Sequence, residues 1–476
     1  MLFLDRSTAM KMFKKSFFIL FCSLIFVHIK SIDDTNRQVL ERAKEDGVRF
    51  IQLHFSDLHG SLKSVTITIK RLEDALEKGV WFDGSSIEGF TRIAESDMFL
   101  KPDPTTYALL PWETEKVARF ICDIYKPDGF PFEGDPRKIL KDALSEAKEL
   151  GFVYNVGPEM EFFLFRAKED GTITPEPSDF VGYFDFSPGD LASRVRRDII
   201  IALEAMGLEV EMSHHEVAPG QNEINFKYGN ALKQADRVIT FKHVAKSIAS
   251  KYGLYASFMP KPLYGVNGSG MHVHQSFFDI KTKKNAFFDP NGVYKLSTLA
   301  NYFIAGQLKH AKSMSAILSP TVNSYKRLVP GYEAPVYICW GQRNRSALIR
   351  IPRYSPGRED STRAELRCPD PSCNPYLAFA IMLQAGLDGI RNQLEPSLPV
   401  EDNIYTFDDE KLRQSNIEKL PGSLGHAISE LEIDDVIKKA LGKHTYPIYV
   451  AAKSAEYKDY IRQVTAWELD RYFLNT

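Results

Sequence analysis

Between Val153 and Phe165 the chain reads as a β-strand, yet Glu159 and Glu161 stand two residues apart within it, directly before the apolar run Phe162-Phe163-Leu164-Phe165. Side chains alternate across a strand, so both carboxylates share one face while Met160 turns to the other. Two like charges side by side are compatible either with a solvated face or with a bound cation. The pattern recurs. In Met271-His272-Val273-His274-Gln275-Ser276 the residues at 272, 274 and 276 share a face, and in Arg363-Ala364-Glu365-Leu366-Arg367 so do Arg363, Glu365 and Arg367. Glu216 and Glu223 add two carboxylates in a Pro/Gly loop after the strand-like run Leu208 to Met212. A fold that serves these segments must bring several strands together with one charged side. Five Glu carboxylates and one imidazole make an oxygen-rich donor set suited to Mg²⁺ or Mn²⁺, with room for two ions, whereas zinc calls for more His and Cys. His214 and His215 lie outside any H-E-x-x-H and read as packed or exposed residues.

A second signal is arginine density: Arg343, Arg345, Arg350, Arg353, Arg358, Arg363 and Arg367 crowd one stretch. Guanidinium forks match phosphate and carboxylate oxygens. Glu359, Asp360 and Glu365 interrupt the run, which argues against nucleic acid, as does the near balance of 60 basic and 62 acidic residues. Neither a Walker loop nor G-x-G-x-x-G is present, so metals and arginines would have to hold a nucleotide. Together these features equip a site for phosphoryl transfer.

At 476 residues the chain is expected to form more than one domain. A strand-rich unit opens near Val48. Near residue 136 the pattern changes: Asp135 can cap, Pro136 fits the first helical position, Ile139, Leu140, Ala143, Leu144, Ala147 and Leu150 form a stripe, and Gly151 ends it. Helical stretches such as 191–206 then alternate with strands in an α/β or α+β body. Five cysteines without C-x-x-C spacing point to a reducing compartment. Residues 1–32 hold Lys11, Lys14 and Lys15 before an apolar run, like a secretory signal but without its cleavage site; a non-native extension is the competing reading, and no membrane span is expected.

Long motifs carry a resemblance. Phe82-Asp83-Gly84-Ser85-Ser86-Ile87-Glu88-Gly89, Gly157 to Phe163, Lys261 to His274, Asn323 to Leu328 and Glu365 to Pro371 closely resemble type I glutamine synthetase from about residue 33 onward. The resemblance implies an α+β fold: a small β-grasp-like N-terminal domain over 33–135 and a large catalytic α/β domain over 136–476. It implies ligation of ammonium to the γ-carboxylate of L-glutamate with ATP, through γ-glutamyl phosphate. Glu161, Glu216 and Glu223 resemble the ligands of the ion serving ammonium and glutamate, and Glu159, His272 and Glu365 those of the ion on the ATP phosphates. Arg327 and Arg367, with Asn267 and Gly268, match the glutamate pocket. Arg345 and Arg350 match the phosphate-side arginines; Glu211, Tyr228, His274 and Ser276 match nucleotide contacts. Asp83 resembles the aspartate that deprotonates ammonium and Glu333 the flap glutamate that closes over the intermediate, a closure required because γ-glutamyl phosphate hydrolyses when water enters. Arg92 resembles the feedback-sensing arginine of the alpha subtype, and the sequence around Tyr405 departs from the adenylylated motif of the beta subtype. Assembly as a homododecamer of two hexameric rings, nitrogen-regulatory proteins as partners and a cytoplasmic location are implied as well; the last weighs against export. The alternatives are a ligase using another amine and a non-catalytic relative.

Overall fold

A computed structural model of the chain describes residues 34–87, 89, 97–185 and 190–474. The apolar N-terminal run, Cys22 and Arg92 lie outside the described residues. The described residues fall into two compact units: one built from those up to Phe55 with Ser64–Phe82 and Met98–Tyr125, the other from Ser56–Lys63, the described part of 83–97 and the described residues from Lys126 on.

The smaller unit holds a six-stranded sheet in the spatial order Leu62–Thr68, Phe50–Ser56, Val117–Tyr125, Asp97–Pro102, Val80–Asp83, with Ala108–Leu109 paired to Val117–Tyr125. Its first strand runs parallel to Val117–Tyr125 and buries Ile51 and Leu53. In the larger unit the helix Pro136–Glu149 begins as the sequence predicts, with the Asp135 side chain accepting from Arg137 N and Pro136 in the first turn. Ile139, Leu140, Ala143 and Ala147 are buried along it, while Leu150, the last residue of the expected stripe, is exposed.

The frame of the larger unit is an eleven-stranded sheet. Its main path is Glu418–Lys419, Tyr337–Gly341, Ala347–Arg350, Ala364–Leu366, Val273–Asp279, Phe152–Ala167, Gln221–Phe226, Val210–His215. Every pairing described in it is antiparallel except that of Tyr337–Gly341 with Ala347–Arg350, so the architecture is α+β rather than a parallel α/β sheet. The long strand Phe152–Ala167 is the spine. Met160 and Phe162 are fully buried on one of its faces, where Phe241 of the helix Ala231–Ser250 meets Phe162 edge-on at 5.7 Å. On the other face Glu159 and Glu161 give way to Phe163 and Phe165, which pack with Ala218, Leu263 and Val266. Thus the residues that seal the sheet also anchor the loop leading into Asn267 and Gly268.

Two segments differ from the sequence reading. Glu223 sits inside a strand, Gln221–Phe226, and only Glu216 is left in the loop. Conversely, His272 lies just before its strand, Val273–Asp279, and is fixed by its carbonyl accepting from Glu159 N at 2.8 Å.

Candidate active site

Register, more than proximity in sequence, assembles the charged residues. Glu161 of the spine is directly opposite Glu223, which in turn is opposite His214. On the far side Gly157 is opposite His274, His274 opposite Glu365, and Glu365 opposite Arg350. Directly opposed side chains stand about 5 Å apart at Cβ, so these two rows run across the sheet as contacts. A cavity of about 330 Å³ opens over them, lined by Glu159, Glu161, Glu216, Glu223, Asn267, Gly268, His272, Arg327, Glu333, Arg345, Arg350 and Arg367 among others. All six residues expected as metal ligands therefore converge: five line the cavity and Glu365 is buried behind it, held by Arg350 and by Arg367 Nη1 at 2.7 Å.

The two rows differ in electrostatics. Glu161 is enclosed, accepts on Oε2 from Gln221 Nε2 and Gly270 N at 2.9 Å each, and is pushed up to about 8 by burial and by the facing Glu223. Burial, then Glu161 and Glu223, push Glu216 up to about 9. This half is short of positive charge, which is the condition a divalent cation satisfies. The other half is compensated. Burial alone would raise Glu365, but Arg367, His274, Arg350 and His272 hold it at about 2. Burial opposes Glu159 too, yet His274 and His272 bring it well below the usual carboxylate range.

Two histidines compete for the compensated side. His274 Nδ1 accepts from Arg363 Nε at 3.1 Å and its Nε2 donates to Glu159 Oε1 at 2.7 Å, which spends both ring nitrogens. His272 Nδ1 stands 3.3 Å from Glu159 Oε2 and 3.7 Å from Glu365 Oε1. Burial, with Arg367 beside it, lowers its pKa and so eases loss of the proton that ligation requires. The donor atoms of Glu159, His274 and Glu365 lie within 4.8 Å of one another, as do those of His214, Glu216 and Glu223. Each triad pairs two of the expected carboxylates, a donor set that suits a hard divalent ion, but with His274 and His214 in the places where the sequence reading has His272 and Glu161.

Arg367 keeps a buried Nε with no partner among the described residues, a donor left for a ligand oxygen. Arg327 is more occupied, donating to the carbonyls of Cys368, Pro369 and Arg367. The backbone approaches it so closely that a Cβ on Gly270 would fall 2.6 Å from its Nη2, and a Cβ on Gly268 would collide with the Pro260 carbonyl.

A second cavity of about 300 Å³ is lined by Glu211, Tyr228, His274 and Ser276, the four expected nucleotide contacts, and shares Glu159, Met212 and Asn225 with the first. Asp83 lines neither; it is exposed at the end of Val80–Asp83 and accepts from Ser85 N at 2.8 Å. Several lining residues escaped the sequence reading, among them His214, Gln221 and Tyr183. His214, read as packed or exposed, stands 3.5 Å from both Glu216 and Glu223. Gln221 bridges Glu161 and the Gly268 carbonyl, and Tyr183 forms part of the wall.

Comparison with known proteins gives a consistent result. Residues 47–127 match the family model "Glutamine synthetase, beta-Grasp domain" and residues 133–472 match "Glutamine synthetase, catalytic domain". Glutamine synthetase of Clostridium saccharobutylicum is 55% identical over 440 residues, 92% of this chain and 98% of its own length. That of Methanosarcina mazei is 55% identical over 440 residues, 92% of this chain and 97% of its own. Among solved structures, GmaS in complex with ADP superposes with a TM-score of 0.83 at 34% identity, covering 91% of this chain and 99% of that one.

Proposed function

Because this chain belongs to the glutamine synthetase family and is a ligase that forms L-glutamine from glutamate, ammonia and ATP with a divalent metal, we propose that the acidic cavity is where γ-glutamyl phosphate is made and consumed. The observation that supports this reading is that one sheet carries an uncompensated carboxylate row and a compensated one under a single cavity whose wall also holds Arg327, Arg345, Arg350 and Arg367.

Glu161, Glu216 and Glu223 would hold one Mg²⁺ or Mn²⁺ ion and Glu159, His272 and Glu365 another. The metal supplies neutralisation of charge on the phosphoryl oxygens. Glutamate lies between Asn267, Gly268, Arg327 and Arg367, with the free Nε of Arg367 directed at a carboxylate oxygen. Arg345 and Arg350 lie on the phosphate side, where fixed guanidinium groups stabilise charge without reorganising. The nucleotide occupies the second cavity, against Glu211, Tyr228, His274 and Ser276, and its phosphates reach the first at Glu159. Glu333 closes the cavity against water, and Asp83 takes the ammonium proton.

On this reading Asp83 completes the site of a neighbouring subunit in a homododecamer. The same reading includes a domain boundary at residues 135 and 136, the alpha subtype with feedback sensing by Arg92, regulation by nitrogen-responsive proteins and a cytoplasmic location. Among the described residues no helix is long and apolar enough to cross a membrane. Co-assembly tests the shared site. Asp83→Asn and Glu216→Gln proteins should each be nearly inactive, and mixed oligomers should regain activity at interfaces whose two contributors are intact. Mixtures that stay inactive while mass analysis confirms mixing would place both residues in one chain.

A further inference from the structure

Glu333 has a backbone that a glutamate adopts only under constraint, with φ of +56°. A non-glycine residue in the left-handed region costs on the order of 1 kcal/mol or more and persists where its surroundings fix it. Glu333 itself is exposed, so its own side chain does not supply that fixation. Its two neighbours do. Lys261 Nζ stands 3.8 Å from the centre of the Tyr332 ring, a cation–π contact. Tyr405 donates its hydroxyl to the Ala334 carbonyl at 2.8 Å, and Ala334 is buried.

Both holding residues are themselves anchored. Lys261 N donates to Asn323 Oδ1 at 2.8 Å and its carbonyl accepts from Asn323 Nδ2 at 3.0 Å, while its ammonium also donates to the Val266 carbonyl. Tyr405 lies in the short turn Ile404–Thr406, capped by Asn403 and pinned by the buried Ile404. Its ring packs against Tyr337 at 6.1 Å.

We propose that Lys261 and Tyr405 are positioning residues that clamp Tyr332 and Ala334, and so fix Glu333 over the cavity in the conformation that excludes water. This rests on the reading of Glu333 as the closing residue. The clamp's product is coupling. When the loop loosens, water in place of ammonia attacks the γ-carbonyl carbon of γ-glutamyl phosphate and the bond from that carbon to the phosphate oxygen breaks. Glutamate and phosphate leave, a proton goes to solvent, and the net reaction is ATP hydrolysis.

The test is the ratio of ADP released to glutamine formed, with glutamate-dependent ADP release in the absence of ammonium as the second readout. All variants are compared as the full assembly, with its size verified. Wild type should release one ADP per glutamine. Tyr405→Phe, which removes only the hydroxyl, should raise the ratio roughly two- to tenfold, the range a single hydrogen bond is worth. Tyr332→Leu should do the same, and Tyr332→Phe, which keeps a ring under the ammonium, should stay coupled. Glu333→Ala is measured alongside. If it uncouples while Tyr405→Phe and Tyr332→Leu stay coupled, the clamp is wrong and the closing role of Glu333 stands. If it stays coupled while the other two uncouple, the closing role falls and the clamp on the loop stands. A slower enzyme with an unchanged ratio in Tyr405→Phe and Tyr332→Leu means a merely structural role and overturns the proposal.

Discussion

Glu161 is worth more to the metal-bound protein than it costs the metal-free one, and a single isosteric change separates the two. In the metal-free chain burial and Glu223 push its carboxyl up to about 8 from an ordinary 4.5. A group whose folded pKa is raised above the unfolded one destabilises the fold progressively as pH climbs from the unfolded value, and the penalty levels off above the folded value. At pH 7 that interval is about two and a half pH units, and at about 1.4 kcal/mol per unit the penalty is on the order of 3 kcal/mol. Glu161→Gln removes the titration while leaving an oxygen to accept from Gly270 N and Gln221 Nε2. In EDTA at pH 7 the variant should therefore be more stable than wild type by up to about 3 kcal/mol, an advantage that vanishes below about pH 4.5. Mg²⁺ at a thousandfold its Kd should reverse the order, since a ligand at that excess adds about 4.1 kcal/mol to the wild type and the variant has lost a charged donor. Urea midpoints at fixed protomer concentration, with EDTA and with Mg²⁺, read both effects. A variant less stable than wild type in EDTA, or one that gains as much from Mg²⁺, would refute the electrostatic account of this half of the site.

Arg367→Lys should raise the KM for glutamate at least tenfold with ATP binding nearly intact, because a point charge cannot replace the fork whose Nη1 holds Glu365 and whose Nε is free; steady-state kinetics with an unchanged KM would reject the assignment. Glu365→Ala should abolish synthesis and also lower stability by about 3 kcal/mol or more, since it leaves Arg350 and Arg367 without their shared carboxylate; denaturation of the variant at wild-type midpoint would contradict this. His310 is buried with Nδ1 2.6 Å from Asp434 and Nε2 3.0 Å from Asp388. Burial presses its pKa down, but the two aspartates outweigh that and raise it. Its contribution to stability is therefore complete below about pH 6.5 and lost as pH rises through the higher folded value. His310→Gln should flatten the alkaline side of the stability profile, and an identical fall from pH 6 to pH 9 in both proteins would count against it.

The strand character of Phe152–Ala167 and the shared face of Glu159 and Glu161 were legible because a period of two needs no partner strand to be read. So was the helix at Pro136, whose cap is local. What was hidden is the register: that Glu161 faces Glu223 and that Glu365 faces His274 and Arg350 depends on pairings between segments far apart in sequence. Gln221 and Tyr183 escaped because a neutral side chain carries no charge signal, and its part in a site comes only from where the fold puts it. His214 had a signal, its spacing of two from Glu216, but the loop hid that both reach one cavity. The roles of Asn267, Gly268 and Arg327 came from long motifs rather than spacing, and the sheet explains why those motifs are close: the loop is sealed by Phe163 and Phe165.

On the function proposed above, the carboxylate cavity couples ATP cleavage to amide formation. The direct measurement supplies glutamate, ATP, Mg²⁺ and ¹⁵N-ammonium and follows ADP release together with ¹⁵N appearing in the glutamine side-chain amide, for wild type and for Glu216→Gln. Wild type should form one labelled amide per ADP, both should depend on Mg²⁺, and the variant should lose both. Labelled glutamine formed at the wild-type rate by Glu216→Gln, or ADP released by wild type without labelled glutamine, would contradict it.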